Sequence, residues 1–287
     1  MRIRCQRTLA LLCVLALCLG AAPAFAADGN GAQVIPCTEI PMYMDGNYIG
    51  PAIVMDCVVY VPLLAFTEYM LQDDCSAVWE AETSTARITS DKMELSMTMG
   101  QQYLTVNGRC IWLTDKACNI NGTILVPVQR LACLFSLETE LDAENWLIQI
   151  EGSDGKPRVP ATAEEQYDTD SLYWLSRLIS AEAKNQPLDG MVGVGNVVLN
   201  RVNDGSGTFG SNVKEVIFQQ GQFDVVDSGT IYSQPTQEAV VAAKLCLEGY
   251  NTVGDCKWFV NPKIGRVNWF NRNTTYAMTI ADHAFYS

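Results

Sequence analysis

Histidine is almost absent from this chain: His283 is the single one in 287 residues. No Cys-x-x-C spacing occurs either. Zinc sites draw on several imidazole or thiolate ligands, so a zinc centre is not expected, and no cofactor is called for. Basic residues are also scarce, with 19 Lys and Arg against 32 Asp and Glu and a net charge of −13. A phosphate backbone needs cationic partners, which argues against nucleic acid. Charge would not hold the protein to an anionic polymer; hydrogen bonds and ring stacking in a groove would have to. Past the first residues, no apolar run is long enough to span a bilayer, so no membrane span is expected in the mature chain.

What is present begins with an export signal. Arg2, Arg4 and Arg7 precede an apolar stretch, Leu9 to Leu19, and Ala24-Phe25-Ala26 has the small-x-small form of a cleavage site. The expectation is a leader over 1–26 and a secreted protein. Losing those three Arg and no acids takes the net charge from −13 to −16. Three of the eleven Cys leave with the leader. Six remain between Cys37 and Cys133, and two more, Cys246 and Cys256, lie near the C-terminus. Export permits disulfides. The six leave their connectivity open, while Cys246–Cys256 is the only pairing within the second half.

Residues 37–151 repeat a pattern. The first copy has a turn at Asp45-Gly46, the strand Val58-Val59-Tyr60-Val61-Pro62, a helical run through Met70 and a strand ending at Ile88. The second has Asn107-Gly108, then Ile124-Leu125-Val126-Pro127, a helical run through Phe135 and a strand ending at Ile150. Asp-Gly and Asn-Gly between apolar residues are hairpin signals. Each copy therefore reads as a hairpin, a short helix and a further hairpin, and two copies bury an apolar face that one would expose. The doubled Val-Pro step resembles the small domain named after the N-terminal region of copper amine oxidases. That resemblance implies a stalk or wall-associated module with a wall or protein partner. It does not imply copper, because this half has no His.

Residues 152–169 are rich in Gly, Pro and acids and read as an exposed linker before a second domain at 170–287. There the periodicity turns helical. A first helix is expected near 171–184, capped by Asp170 or Ser171, and a second near 189–202, capped by Asp189. A short one follows at 211–218, another at 235–249 and a last one near 275–284. Gly193 and Gly195 weaken the second helix, which suits close helix packing. On the first, Leu172, Leu175, Leu178 and Ile179 recur at helical spacing, and Glu182 continues that face. A carboxyl on the core side is desolvated, which raises its pKa and fits it for general acid work. The alternative reading is a residue at a helix end that reaches water.

Several strings stand in order here: Ser180-Ala181-Glu182-Ala183, Gly193 to Val202, Gly221-Gln222-Phe223, Trp258-Phe259-Val260-Asn261-Pro262, and Ile280 to Phe285. Together they resemble the spore cortex-lytic, or SleB-type, cell wall hydrolase family. The resemblance implies an α+β protein in which a small duplicated α/β stalk-type domain precedes a mainly α, lysozyme-like (lytic transglycosylase-like) domain. It implies action on peptidoglycan glycan strands, between N-acetylmuramic acid and N-acetylglucosamine, in the cell wall or the spore cortex or coat. It carries the catalytic role to Glu182. One carboxyl suffices for a lytic transglycosylase; hydrolysis would need a second, for which Asp224 and Asp227 are the candidates.

Other positions keep two readings. Gln222 and Phe223 match a glycan-groove string, though Phe223 suits a core equally. Asn261 with Pro262 lines the groove or makes a turn. Trp258, Phe259 and Trp269 stack on sugars or fill the core. Arg201 faces Glu182 or caps a helix end. His283 is expected to hold the last helix. Two rival functions remain: a non-catalytic wall or spore-coat glycan-binding protein, and a Cys peptidase using Cys246 or Cys256 with His283.

Overall fold

The computed structural model describes residues 24–26 and 35–287, apart from 265 and 266. Most of the expected leader therefore lies outside the described residues. The elements of the first half run β1 (Ala24–Ala26), β2 (Ile35–Met44), β3 (Asn47–Met55), β4 (Val58–Pro62), α1 (Leu63–Leu71), β5 (Ser76–Glu80), β6 (Thr85–Thr89) and β7 (Glu94–Thr98). They continue with β8 (Tyr103–Val106), β9 (Arg109–Trp112), β10 (Cys118–Ile120), β11 (Thr123–Pro127), α2 (Val128–Leu134), β12 (Glu138–Asp142) and β13 (Leu147–Glu151).

The turns follow from local chemistry. Asp45-Gly46 and Asn107-Gly108 take positive φ at both residues, as tight hairpins require. Asn121-Gly122 does the same between β10 and β11. Each Val-Pro step ends a strand and starts a helix, with Pro62 and Pro127 at the N-caps of α1 and α2. Their fixed φ suits both neighbours, and the missing N–H costs nothing there.

The two copies exchange parts. One sheet has the order β10-β11-β4-β3-β2-β13-β12, with β1 also on β2. The other runs β5-β6-β7-β8-β9. The closing hairpin of the second copy thus joins the first copy's opening hairpin, through the parallel β13–β2 pairing. The closing hairpin of the first copy joins the second through β6–β7. Phe66 of α1 and Phe135 after α2 meet in the shared core with ring centroids 6.0 Å apart.

The second half contains α3 (Ala163–Gln166), α4 (Thr169–Ala183), α5 (Leu188–Val202), α6 (Val213–Phe218), α7 (Asp224–Asp227) and α8 (Gln237–Leu247). It ends with β14 (Trp258–Val260), α9 (Val267–Asn273), β15 (Tyr276–Ile280) and β16 (His283–Tyr286). The helix α4 starts earlier than the sequence suggested, because Asp168 accepts from the Ser171 N–H at 2.8 Å. Pro187, not Asp189, caps α5, and Thr236 caps α8. Residues 275–284 are not a helix. They form the β15–β16 hairpin, which with β14 makes a sheet of order β14-β16-β15. Tyr276, Met278 and Ile280 alternate as a strand does, and Ala281 turns the chain at φ 47°. Among the described residues, no helix is long and apolar enough to cross a membrane.

Gly193 and Gly195 do serve close packing. A Cβ at 193 would lie 2.8 Å from the Phe285 ring, and one at 195 would lie 2.6 Å from Cys246 Sγ. These contacts also correct the expected Cys246–Cys256 pairing. Cys246 packs on the Gly195 side of α5, while Cys256 clusters with Val197 and Phe285. At about 100° per residue those are opposite faces of one helix. The helix stands between the two sulfurs, which a disulfide cannot span. Both are unbonded in the structure.

The linker is not a loose spacer. Thr162 and Glu165 form a capping box for α3, and Asn107 Nδ2 donates to the Pro160 carbonyl at 2.8 Å. Tyr167 is buried; its hydroxyl donates to Glu248 Oε1 at 2.9 Å. Arg109 on β9 grips the same Glu248 through two bonds of 2.7 and 2.8 Å. Trp112 stacks near Tyr250 with centroids 5.2 Å apart. Cys110 belongs to the apolar core of the helical half. The β9 edge of the first half is thus bolted to the C-terminal end of α8.

Candidate active site

Helix α4 buries Leu175, Leu178 and Ile179 against α5 and α8 and carries Glu182 on its last turn. The Glu182 side chain opens onto a cleft of about 710 Å³. The chain turns at Gly221, and Gln222, Phe223 and Asp224 line the same cleft as α7 begins. The strand β14 supplies Trp258 and Phe259, and the loop after it supplies Asn261. Trp269 of α9 stands on the rim, 53% exposed.

The cleft therefore gathers Glu182, Gln222, Phe223, Trp258, Asn261 and Trp269, all six singled out in the sequence. Asp224 joins them; Asp227, one helical turn on, is not among the lining residues. Phe223 is 6% exposed and also part of the cleft wall, with its ring 6.3 Å from Phe259. His283 sits on β16 rather than on a helix, and it too lines the cleft. It is buried beside Phe259, centroids 5.2 Å apart, and Nδ1 has no hydrogen-bond partner. Burial holds its pKa below the ordinary value, so the ring is neutral at pH 7. Phe270 is a further lining residue that no spacing marked out.

The electrostatics single out one acid. Burial, and secondarily the negative charge of Asp224, push the Glu182 carboxyl up from 4.5 to about 7. Such a group holds its proton to neutral pH and gives it up readily, the balance a general acid requires. Arg201 lines the same cleft but makes no ion pair with Glu182 among the described residues. Its Nε donates to the Lys257 carbonyl at 2.7 Å.

A cysteine nucleophile finds no place here. Cys246 is wholly buried, burial drives its thiol pKa up, and Sγ donates to the Val192 carbonyl at 3.3 Å. Cys256 is at 0% exposure outside the cleft. Neither offers the accessible thiolate a peptidase needs. A second cavity of about 730 Å³ lies in the first half, between α1, β5, β6 and the β10–β11 hairpin. It is mostly apolar, and Glu68 is the one acid among its lining residues.

Residues 185–286 match the Cell Wall Hydrolase family model, and residues 43–150 match the Copper amine oxidase N-terminal domain. The second half of the chain carries a cell wall hydrolase domain. The match begins just past Glu182, so that residue stands on its geometry. The spore cortex-lytic enzyme of Halalkalibacterium halodurans is 33% identical over 103 residues, which is 36% of this chain and 31% of that protein. The one from Oceanobacillus iheyensis is 29% identical over 119 residues, 42% of each chain. This chain thus spans between 31% and 42% of the length of these curated relatives. The catalytic domain of the germination-specific lytic transglycosylase SleB from Bacillus anthracis is 27% identical, with a TM-score of 0.39, covering 42% of this chain and 97% of that one.

Proposed function

We propose that this is a secreted peptidoglycan-degrading enzyme that cuts the glycan strand between N-acetylmuramic acid and N-acetylglucosamine as a lytic transglycosylase, in the cell wall or the spore cortex. The observation that carries the reading is the Glu182 carboxyl, held up to about 7 in a cleft walled by aromatic side chains. Protonated Glu182 gives its proton to the glycosidic oxygen as the C1–O bond breaks. The carboxylate so formed takes the proton from the muramic C6 hydroxyl, whose oxygen closes on C1 to a 1,6-anhydro sugar. The acid ends as it began, and no water is consumed.

Phe223 and Phe259 form the floor on which a sugar ring rests, and Trp258 and Trp269 flank it. Gln222 and Asn261 supply side-chain amides for sugar hydroxyls. Asp224 acts on Glu182 through its charge, keeping the proton on the acid near neutrality. The first half, clamped by Arg109 and Glu248, would present the cleft to the wall at a fixed angle rather than on a flexible tether.

The test is lysis of purified peptidoglycan by the wild type and by Glu182→Gln. The variant is expected to bind sacculi as the wild type does while its lysis rate falls about a hundred- to ten-thousandfold, since the acid's contribution is gone. Undiminished lysis would remove Glu182 from the chemistry. Binding without lysis in the wild type itself would favour a glycan-binding protein.

A further inference from the structure

Arg201 is the odd group in the cleft. It is 5% exposed, and no carboxylate lies within ion-pair distance among the described residues. Its guanidinium sits between the Phe209 and Phe223 rings, 5.1 and 5.2 Å from their centroids. The Lys257 carbonyl takes Nε, while Nη1 has no hydrogen-bond partner at all. Burial lowers its pKa only to about 10, so the charge persists at pH 7. A buried cation normally has an acid beside it, as Arg109 has Glu248 in this same protein. Leaving one unpaired in the wall of a binding cleft costs stability that ring stacking only partly offsets.

We infer that Arg201 is a specificity residue whose missing partner comes with the substrate: a carboxylate on the arm of a muramic residue bound in the cleft. The inference rests on the glycan-cleaving reading above and adds to it the charge of the sugar that is accepted. The fork of a guanidinium fixed at Nε holds its remaining N–H groups in one plane, which suits a carboxylate; Nη1 is enclosed by protein atoms, so the ligand meets the fork at Nη2 and a second bond needs the wall to shift. Two natural sources carry that group: the lactyl arm of a bare muramic residue, and the peptide attached to it. A muramic residue whose arm is closed into a neutral ring offers neither.

The sign of the long-range charge makes the idea testable. A protein of net charge −13 should prefer a polymer whose carboxylates have been amidated. Preference for the carboxylate form therefore needs a specific site. Sedimentation with insoluble glycan would be measured in a Glu182→Gln background, so that binding is read without cleavage. The polymers are peptide-bearing glycan, amidase-stripped glycan with only lactyl carboxylates, and each of these after carbodiimide amidation. The expected result is about ten- to hundredfold tighter binding to a carboxylate form than to its amidated copy, as a charge-assisted hydrogen-bonded pair would give. Arg201→Gln should erase that ratio, and Arg201→Lys should keep part of it. Whichever natural form carries the ratio identifies the source.

Equal or tighter binding of the amidated polymers, or an unchanged ratio in Arg201→Gln, would overturn the inference and leave Arg201 as wall packing. The ratio is internal to each variant, so a weakened fold does not imitate loss of preference. Failure of the underlying reading would appear elsewhere, as absence of lysis by the protein with Glu182 intact.

Discussion

Replacing Glu182 with Gln should stabilise the protein, by an amount that grows as pH rises from 4.5 to about 7. The carboxyl titrates near 4.5 in an unfolded chain and near 7 in the fold. Below 4.5 it is protonated in both states and differs little from an amide. As pH rises, the unfolded state ionises first, so native stability falls through the window from 4.5 to about 7 and levels off above it. The full loss is about 3 kcal/mol, from roughly 1.4 kcal/mol for each tenfold change in acidity. The open cleft admits water, which makes this an upper value. Gln carries no charge and escapes the loss. The variant's melting temperature should match the wild type at pH 4 and exceed it by on the order of 5–10 °C at pH 8. All other titrating groups are shared, so they largely cancel in the difference. Equal offsets at both pH values would show that Glu182 reaches water freely, and the argument for a neutral general acid would fail with it.

Asp224→Asn removes the negative neighbour that raises Glu182. The alkaline limb of kcat/KM against pH should then move to lower pH with activity retained; an unmoved limb contradicts the coupling, and loss of all activity would recast Asp224 as a base for hydrolysis. Glu248→Gln leaves Arg109 buried without its carboxylate and should destabilise by about 3–5 kcal/mol, with faster proteolysis around residues 152–169. Adding Arg109→Met should recover much of that; no recovery would mean that the pair is not what joins the halves. In Gly195→Ala, the helix-propensity gain of about 1 kcal/mol competes with a Cβ set 2.6 Å from Cys246 Sγ. Overpacking costs about 1–3 kcal/mol, so thermal melts should show net destabilisation, relieved by Cys246→Ala.

Local chemistry was legible from the chain, and long-range pairing was not. The turns at Asp45-Gly46 and Asn107-Gly108 follow from side chains that tolerate positive φ, and the Val-Pro steps from a fixed dihedral. Which hairpin pairs with which does not, because β13 meets β2 across the whole first half. The second half shows the limit of periodicity. Ala277, Ile280 and Ala284 sit at helical spacing, while Tyr276, Met278 and Ile280 alternate as a strand. The turn between β15 and β16 is the pair Ala281-Asp282, and its positive φ falls on Ala281, a residue that rarely takes it, so the helical pattern looked sound. Glu182 was visible because its neighbours fix the face it continues. Arg201 was visible only as an alternative between a Glu partner and a helix end, and its stacking between Phe209 and Phe223 depends on loops that fold back from elsewhere. The clamp of Arg109, Tyr167 and Glu248 left no mark in the sequence, since its members come from three separate segments.

The most direct test of the central claim is mass spectrometry of the fragments released from peptidoglycan by residues 27–287, beside those from Glu182→Gln. Muramic ends closed as 1,6-anhydro sugars, present with the wild type and lost in the variant, are the predicted result. Fragments with reducing muramic ends, or anhydro ends that persist without Glu182, would contradict it.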